Sequence, residues 1–127
     1  MKRILKCIIV EDDPMAAALL EQYIESADGL HHIGTHPDSL MASLNIQRQK
    51  PDVVFLDINI SGLDGPEMIS LLDHKPQIII TSGIDKNSFV DYDIDIIDFL
   101  SKPITQKSFH KAVEKCIENS EKTTTPC

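Results

Sequence analysis

An α/β fold on a doubly wound, five-stranded parallel sheet is what this sequence predicts, and three observations predict it. Five short apolar runs alternate with five segments of helical character, the order that βα units generate. Runs such as Ile8-Ile9-Val10, Val53-Val54-Phe55-Leu56 and Ile78-Ile79-Ile80 are apolar throughout rather than at alternate positions, as strands buried on both faces are. Four of the runs also end in residues able to do chemistry: Glu11-Asp12-Asp13, Asp57, Thr81-Ser82 and Lys102-Pro103. Ligands of open parallel sheets bind outside the carboxyl ends of the strands, so these groups are expected to meet.

The first strand is expected over residues 4–10. Asp13 then suits a helix cap with Pro14 in the first turn, followed by Ala16, Leu19, Leu20, Tyr23 and Ile24 on one helical face. Gly29 closes that region, and His31-His32-Ile33-Gly34-Thr35 gives the weakest strand signal. Asp38 is a cap for a helix over 39–48, with Leu40 and Leu44 expected inward. Pro51-Asp52 leads into a third strand over 53–56, and Gly62 to Gly65 is a loop. Pro66 opens a helix carrying Met68, Ile69, Leu71 and Leu72, and the fourth strand is expected over 77–81.

Residues 84–95 contain Asp85, Asp91, Asp93 and Asp95 with few good helix formers, so a short or mobile helix is expected there. The fifth strand is expected over 96–100. Phe109, Ala112, Val113, Cys116 and Ile117 repeat at helical spacing and give the clearest helix. One domain over 1–118 accounts for this pattern, with 119–127 as a tail or the start of a linker.

Composition narrows the function. Twenty acidic against twelve basic residues give a net charge of −8 and leave no basic stripe, which argues against direct contact with nucleic acid or an anionic membrane. No run approaches the ~18 apolar residues of a membrane span, and the apolar start reads as a strand rather than a signal peptide, so a cytoplasmic protein is expected. Cys7 and Cys116 read as buried small hydrophobes and Cys127 as a terminal thiol, without zinc-ligand spacing. The five histidines are scattered and read as surface or strand-edge residues, while Met15 and Met41 admit a reading as partner contacts, with packing on helix faces the default. No glycine-rich phosphate-cradling loop is present.

Glu11, Asp12 and Asp57 carry the chemistry. Carboxylates brought together repel, so one must become neutral or a cation must match them. Mg²⁺ is the natural match, because it favours one or two carboxylates together with water and phosphate oxygens. Asp57 then reads as a carboxylate nucleophile able to form an acyl phosphate, with Lys102 and the Thr81 hydroxyl to meet phosphoryl oxygens. Each feature alone has a plainer reading. The acidic run serves as a solvated loop with a cap, Asp57 as the start of a turn, and Lys102 as a surface residue whose aim depends on whether Pro103 is cis.

Taken in order, Ile9-Val10-Glu11-Asp12-Asp13-Pro14, Asp57 through Gly65, Thr81-Ser82-Gly83 and Phe99-Leu100-Ser101-Lys102-Pro103 resemble the receiver domain of two-component response regulators, over roughly residues 4–118. The resemblance implies a flavodoxin-like sheet of strand order 2-1-3-4-5. It implies that Asp57 accepts a phosphoryl group from a histidine kinase or phosphotransfer protein. Glu11 and Asp12 match the acidic pair that holds Mg²⁺, and Asn59 matches the position offering its backbone carbonyl to the metal. Thr81 and Phe99 match the switch hydroxyl and switch aromatic, and Lys102 matches the family lysine.

The implied role is a signalling switch rather than an enzyme, with no catalysis beyond its own phosphorylation and slow dephosphorylation. Its output would be an effector domain or partner protein, with a possible homodimer through the face made by the family's fourth helix, fifth strand and fifth helix. Three departures stand out: Glu11 for the commoner aspartate, Ser61 where proline is frequent, and Phe99 for tyrosine. Gly83 leaves room for water beside the site. The turn before Phe99 is similar to that of receivers joined to LytTR-type DNA-binding domains. A haloacid-dehalogenase-type phosphatase would want an acid at position 59, where Asn59 stands, and more chain to cover its substrate. A phosphorylation-independent interaction module would be expected to lack one of the acids or the lysine, and all are present.

Overall fold

The computed structural model describes residues 4–58, 65–83 and 96–124. Five strands, β1 (Leu5–Val10), β2 (Leu30–His36), β3 (Val53–Asp57), β4 (Gln77–Ser82) and β5 (Ile96–Ser101), form one sheet of order β2-β1-β3-β4-β5. Every neighbouring pair is parallel. The chain order reverses between β1 and β3, which opens a crevice at their carboxyl ends.

Helices cover both faces. Helix α1 (Pro14–Ser26) and helix α4 (Gln106–Thr124) pack over a cluster containing Leu5, Cys7, Ile9, Phe55 and Phe109. Phe109 stacks on Phe55 at 5.6 Å and meets the Tyr23 ring at 5.2 Å, so one α4 aromatic joins the central strand to α1. Helix α2 (Ser39–Gln49) and helix α3 (Gly65–Ser70) cover the opposite cluster, with Ile8, Val10, Val54, Leu56 and Ile80.

The caps follow the sequence signals. Asp13 accepts the Met15 N–H and Asp38 accepts those of Leu40 and Met41, satisfying first-turn donors. Gly29 sits at φ +96, and a Cβ there would lie 3.3 Å from Ile117 Cδ1, so both conformation and space favour glycine. Cys7 and Cys116 are fully buried, as the sequence suggests.

Five expectations need correction. Leu40 and Leu44 do not face inward: they are 54% and 57% exposed, and α2 buries Ser39, Ala42, Ser43 and Ile46 instead. Ala42 and Ile46 join the core cluster on that side of the sheet, and Ser39 and Ser43 are buried with them. On α1 the buried stripe is Ala17, Leu20 and Ile24, with Ala16 only half-buried. Met15 and Met41 are exposed rather than packed, at 82% and 54%. Leu71 lies beyond the end of α3 and is exposed. Helix α4 runs through Thr124 rather than stopping near 118. Its extra turns are held from the body: Asn119 donates to the Gln77 side chain, Gln77 donates to the Cys116 carbonyl, and Ser120 is buried. The helix expected over 84–95 and the loop residues Asn59 and Ser61 lie outside the described residues.

Candidate functional site

The site is made at the carboxyl edge of the sheet by chain segments that leave four adjacent strands. Glu11 and Asp12 follow β1, Asp57 ends β3, Thr81 lies opposite Asp57 in the β3–β4 register, and Lys102 follows β5. Backbone bonds fix these exits. The Glu11 N–H donates to the His36 carbonyl, the Ile58 N–H to Thr81, and the Lys102 N–H to Ser82 at 2.7 Å. The Lys102–Pro103 peptide is cis.

Burial separates the groups. Glu11, Asp57 and Thr81 are 2%, 4% and 1% exposed, whereas Asp12 faces solvent. Lys102 Nζ lies 2.7 Å from Glu11 Oε1 and 3.5 Å from Asp57 Oδ2, bridging the two buried acids. The second Glu11 oxygen accepts the Asp13 N–H at 3.2 Å. Sequence reasoning assigns Asp13 only to capping, and this backbone donor had no side-chain signal to reveal it.

Burial pushes the Glu11 carboxyl above its ordinary value and neighbouring Asp57 adds to the rise, while Lys102 and the Asp13 N–H work against it. Burial alone would lower the Lys102 ammonium, but Glu11 and Asp57 outweigh that and raise it. The arrangement is thus an acid-rich pocket with one lysine set against Glu11, Asp12 and Asp57.

Carboxylate oxygens of Glu11, Asp12 and Asp57 all lie within 4.8 Å of one another, a donor set suited to a hard divalent cation. The buried Thr81 Oγ1 has no hydrogen-bond partner among the described residues. Such an atom costs stability unless a ligand or water meets it. Acceptor oxygens arriving at Asp57 would complete the site.

Phe99 stands apart from this cluster, half-buried on β5 against the α2/α3 side of the core. Beside the acids, a groove of about 510 Å³ is lined by Met15, Ala16, Leu19, Lys102, Pro103 and Ile104, with Asp13 at its border. The Tyr23 hydroxyl donates to the Ile104 carbonyl at 3.0 Å and ties this wall to α1. Sequence reasoning ranks a contact role for Met15 below packing, because an apolar residue early in an amphipathic helix looks like packing.

Comparison with known proteins agrees with this geometry. The family model described as the response regulator receiver domain matches residues 7–114. The transcriptional regulatory protein BtsR of Salmonella typhimurium is 29% identical over 113 residues, covering 87% of this chain and 47% of that protein. The transcriptional regulatory protein YpdB of Escherichia coli is 30% identical over 114 residues, with 87% and 47% covered. This chain therefore spans about half the length of the curated relatives it matches. Among solved structures, the response regulatory domain of protein mrkE from Klebsiella pneumoniae aligns with a TM-score of 0.82 at 29% identity, covering 93% of this chain and 99% of that one. No described helix is long and apolar enough to cross a membrane.

Proposed function

The chain belongs to the response regulator receiver domain family, and on that premise we propose that Asp57 is the residue that accepts the phosphoryl group. The observation that carries this is the meeting of buried Asp57 with Glu11, Lys102 and the Thr81 hydroxyl, which has no partner among the described residues, at one sheet edge. In the reaction, an Asp57 carboxylate oxygen bonds to the phosphorus of a phosphohistidine on a kinase or phosphotransfer protein. The P–N bond breaks, and the histidine leaves with that electron pair. Lys102 turns toward the new phosphoryl oxygens, and the Thr81 hydroxyl donates to one of them.

Glu11, Asp12 and Asp57 would hold Mg²⁺, with Asn59 offering its backbone carbonyl. Bound there, the ion supplies charge neutralisation between the acids and the phosphoryl oxygens. The donor's helix would dock over the apolar groove of Met15, Ala16, Leu19 and Ile104, which opens beside Lys102. Output would follow from Thr81 drawing β4 toward the phosphoryl group while Phe99 repacks on neighbouring β5. This switch acts in the cytoplasm on an effector domain or partner protein, with a homodimer through the face containing β5 and α4 as one possible form. The receiver unit extends through α4, whose turns beyond residue 118 pack on the body. Its only chemistry is its own phosphorylation and slow hydrolysis, and Gly83, with nothing among the described residues within 4 Å of where its Cβ would stand, leaves room for the water.

Titration with beryllofluoride and Mg²⁺, followed by protein NMR, tests the assignment. Saturable, Mg²⁺-dependent shifts at Thr81, Phe99 and Lys102 are expected, and they should vanish in Asp57→Asn. Absence of binding to the native chain would remove the phosphoacceptor role.

A further inference from the structure

Helix α2 presents its larger apolar side chains to water. Leu40, Met41 and Leu44 are 54%, 54% and 57% exposed, while the side turned to the sheet and α3 is Ser39, Ala42, Ser43 and Ile46. At 3.6 residues per turn the three exposed residues fall within an arc of about 100°, and Arg48 continues that arc one turn beyond Leu44. Single exposed apolar residues are ordinary. Three on one helix face, on a helix whose inner face is mostly small, form a patch of the kind that marks interaction sites.

The charge around the patch points to its partner. The protein carries 20 acidic and 12 basic residues, yet no Asp or Glu occurs from Ser39 to Lys50. The charged side chains in that stretch are Arg48 and Lys50, both exposed at the carboxyl end of the helix. The patch is therefore apolar at Leu40, Met41 and Leu44 and cationic at one end, against an acidic remainder. A second α2 laid face to face would bring Arg48 toward another Arg48 in one orientation, and in the other would offer it Asp38, a carboxylate already engaged by the Leu40 and Met41 N–H groups.

We propose that the outer face of α2 docks an amphipathic helix of a partner protein, its apolar side chains on Leu40, Met41 and Leu44 and its carboxylates against Arg48 and Lys50. The surface lies on the side of the sheet opposite α1 and α4, away from the Met15 groove. It is thus separate from the groove proposed for the phosphoryl donor.

The probe is a displayed library of 16-residue helical peptides selected against the full chain. Affinities of the dominant peptides are then measured for the native chain, for Leu40→Ser/Met41→Ser/Leu44→Ser, and for Arg48→Glu. Selected peptides should carry an apolar stripe with Asp or Glu at one end. Their affinity should fall at least about tenfold, a loss of about 1.4 kcal/mol, in both variants. Unchanged circular dichroism and an intact beryllofluoride response would show that the variants fold. Basic-flanked peptides, or peptides indifferent to the triple variant, would overturn the proposal. So would self-association lost on the triple substitution, which assigns the face to a second copy. Patch-dependent flotation with anionic vesicles would assign it to a membrane and overturn it equally.

Discussion

Lys102 Nζ sits 0.8 Å closer to Glu11 than to Asp57, at 2.7 Å against 3.5 Å. In this state the lysine is committed first to Glu11 rather than to Asp57, the proposed acceptor. A phosphoryl group on Asp57 would compete for the same ammonium, so switching requires Glu11 to give up part of its ion pair. Removing one partner of a buried pair leaves the other uncompensated. Lys102→Met should therefore destabilise the protein at neutral pH by about 1–3 kcal/mol. Less should be lost at acid pH, where Glu11, already raised by burial, takes up a proton. Denaturant titrations of both proteins at the two pH values check this.

Repulsion in the acid pocket gives a second expectation. The Glu11 carboxyl is raised above its ordinary 4.5, so its favourable contribution is complete below that value and is lost as pH rises through the folded value. Asp57→Asn removes a neighbouring charge that contributes to the rise. The variant should be more stable than the native chain at pH 7.5 without Mg²⁺, by about 1 kcal/mol, and nearly equal at about pH 4. Millimolar Mg²⁺ should stabilise the native chain and narrow the gap. Thermal melts with and without the ion measure both effects, and a native chain indifferent to Mg²⁺ would contradict the proposed cation set.

The sheet and most of this pocket were legible in the sequence because the relevant signals are local. Apolar runs bounded by Glu11, Asp57, Thr81 and Lys102 state both the strands and the ends at which ligands gather. Helix α2 was legible in position and cap but not in orientation. Serine and alanine can pack closely inward as readily as leucine can, and only tertiary contacts decide which face turns in. The end of α4 was hidden for a related reason. Asn119 and Ser120 look like solvent residues until Gln77, 42 positions from Asn119, supplies the contact. The Asp13 N–H on Glu11 is a backbone donor, which no residue pattern announces.

His36 gives a pH effect of opposite sign. Burial, with a smaller contribution from His32, lowers this imidazole below its ordinary 6.5. The folded protein resists protonation that the unfolded chain accepts. Stability tied to this group is therefore present above 6.5 and falls as pH drops through the lower folded value. Its Nε2 has no hydrogen-bond partner among the described residues, and the ring folds back over Gly34. His36→Gln should flatten the stability profile between about pH 7 and pH 5 relative to the native chain. A parallel decline in both proteins would assign the effect to other groups.

The thiols of Cys7 and Cys116 should be silent in the native state. Both are fully buried, and burial pushes each up to about 12, so almost no thiolate exists at pH 8. In a Cys127→Ser background, reaction with an aromatic disulfide reagent should proceed only at the rate of opening. It should rise to two thiols per chain in denaturant. Rapid native labelling would show that the α1/α4 side of the core opens locally.

The last expectation concerns how the lysine is held. Lys102 lies two residues before Ile104, whose carbonyl accepts the Tyr23 hydroxyl at 3.0 Å across 81 residues of sequence. The Tyr23 ring rests on Phe109, so the hydroxyl is positioned by the same core that stacks on Phe55 in β3. Asp57 ends that strand, and a single packed column thus supports both this proposed acceptor and the segment that carries Lys102. Tyr23→Phe keeps the ring and deletes the bond, at a cost of about 0.5–1.5 kcal/mol. Beryllofluoride affinity should fall by more than stability alone accounts for, because folded molecules would hold Lys102 less firmly. Phe109→Leu separates the two contributions. It loosens the column but leaves the Tyr23 hydroxyl in place, so it should lower the melting temperature more and the affinity less. The reverse ranking would show that packing, not the hydroxyl, positions Lys102.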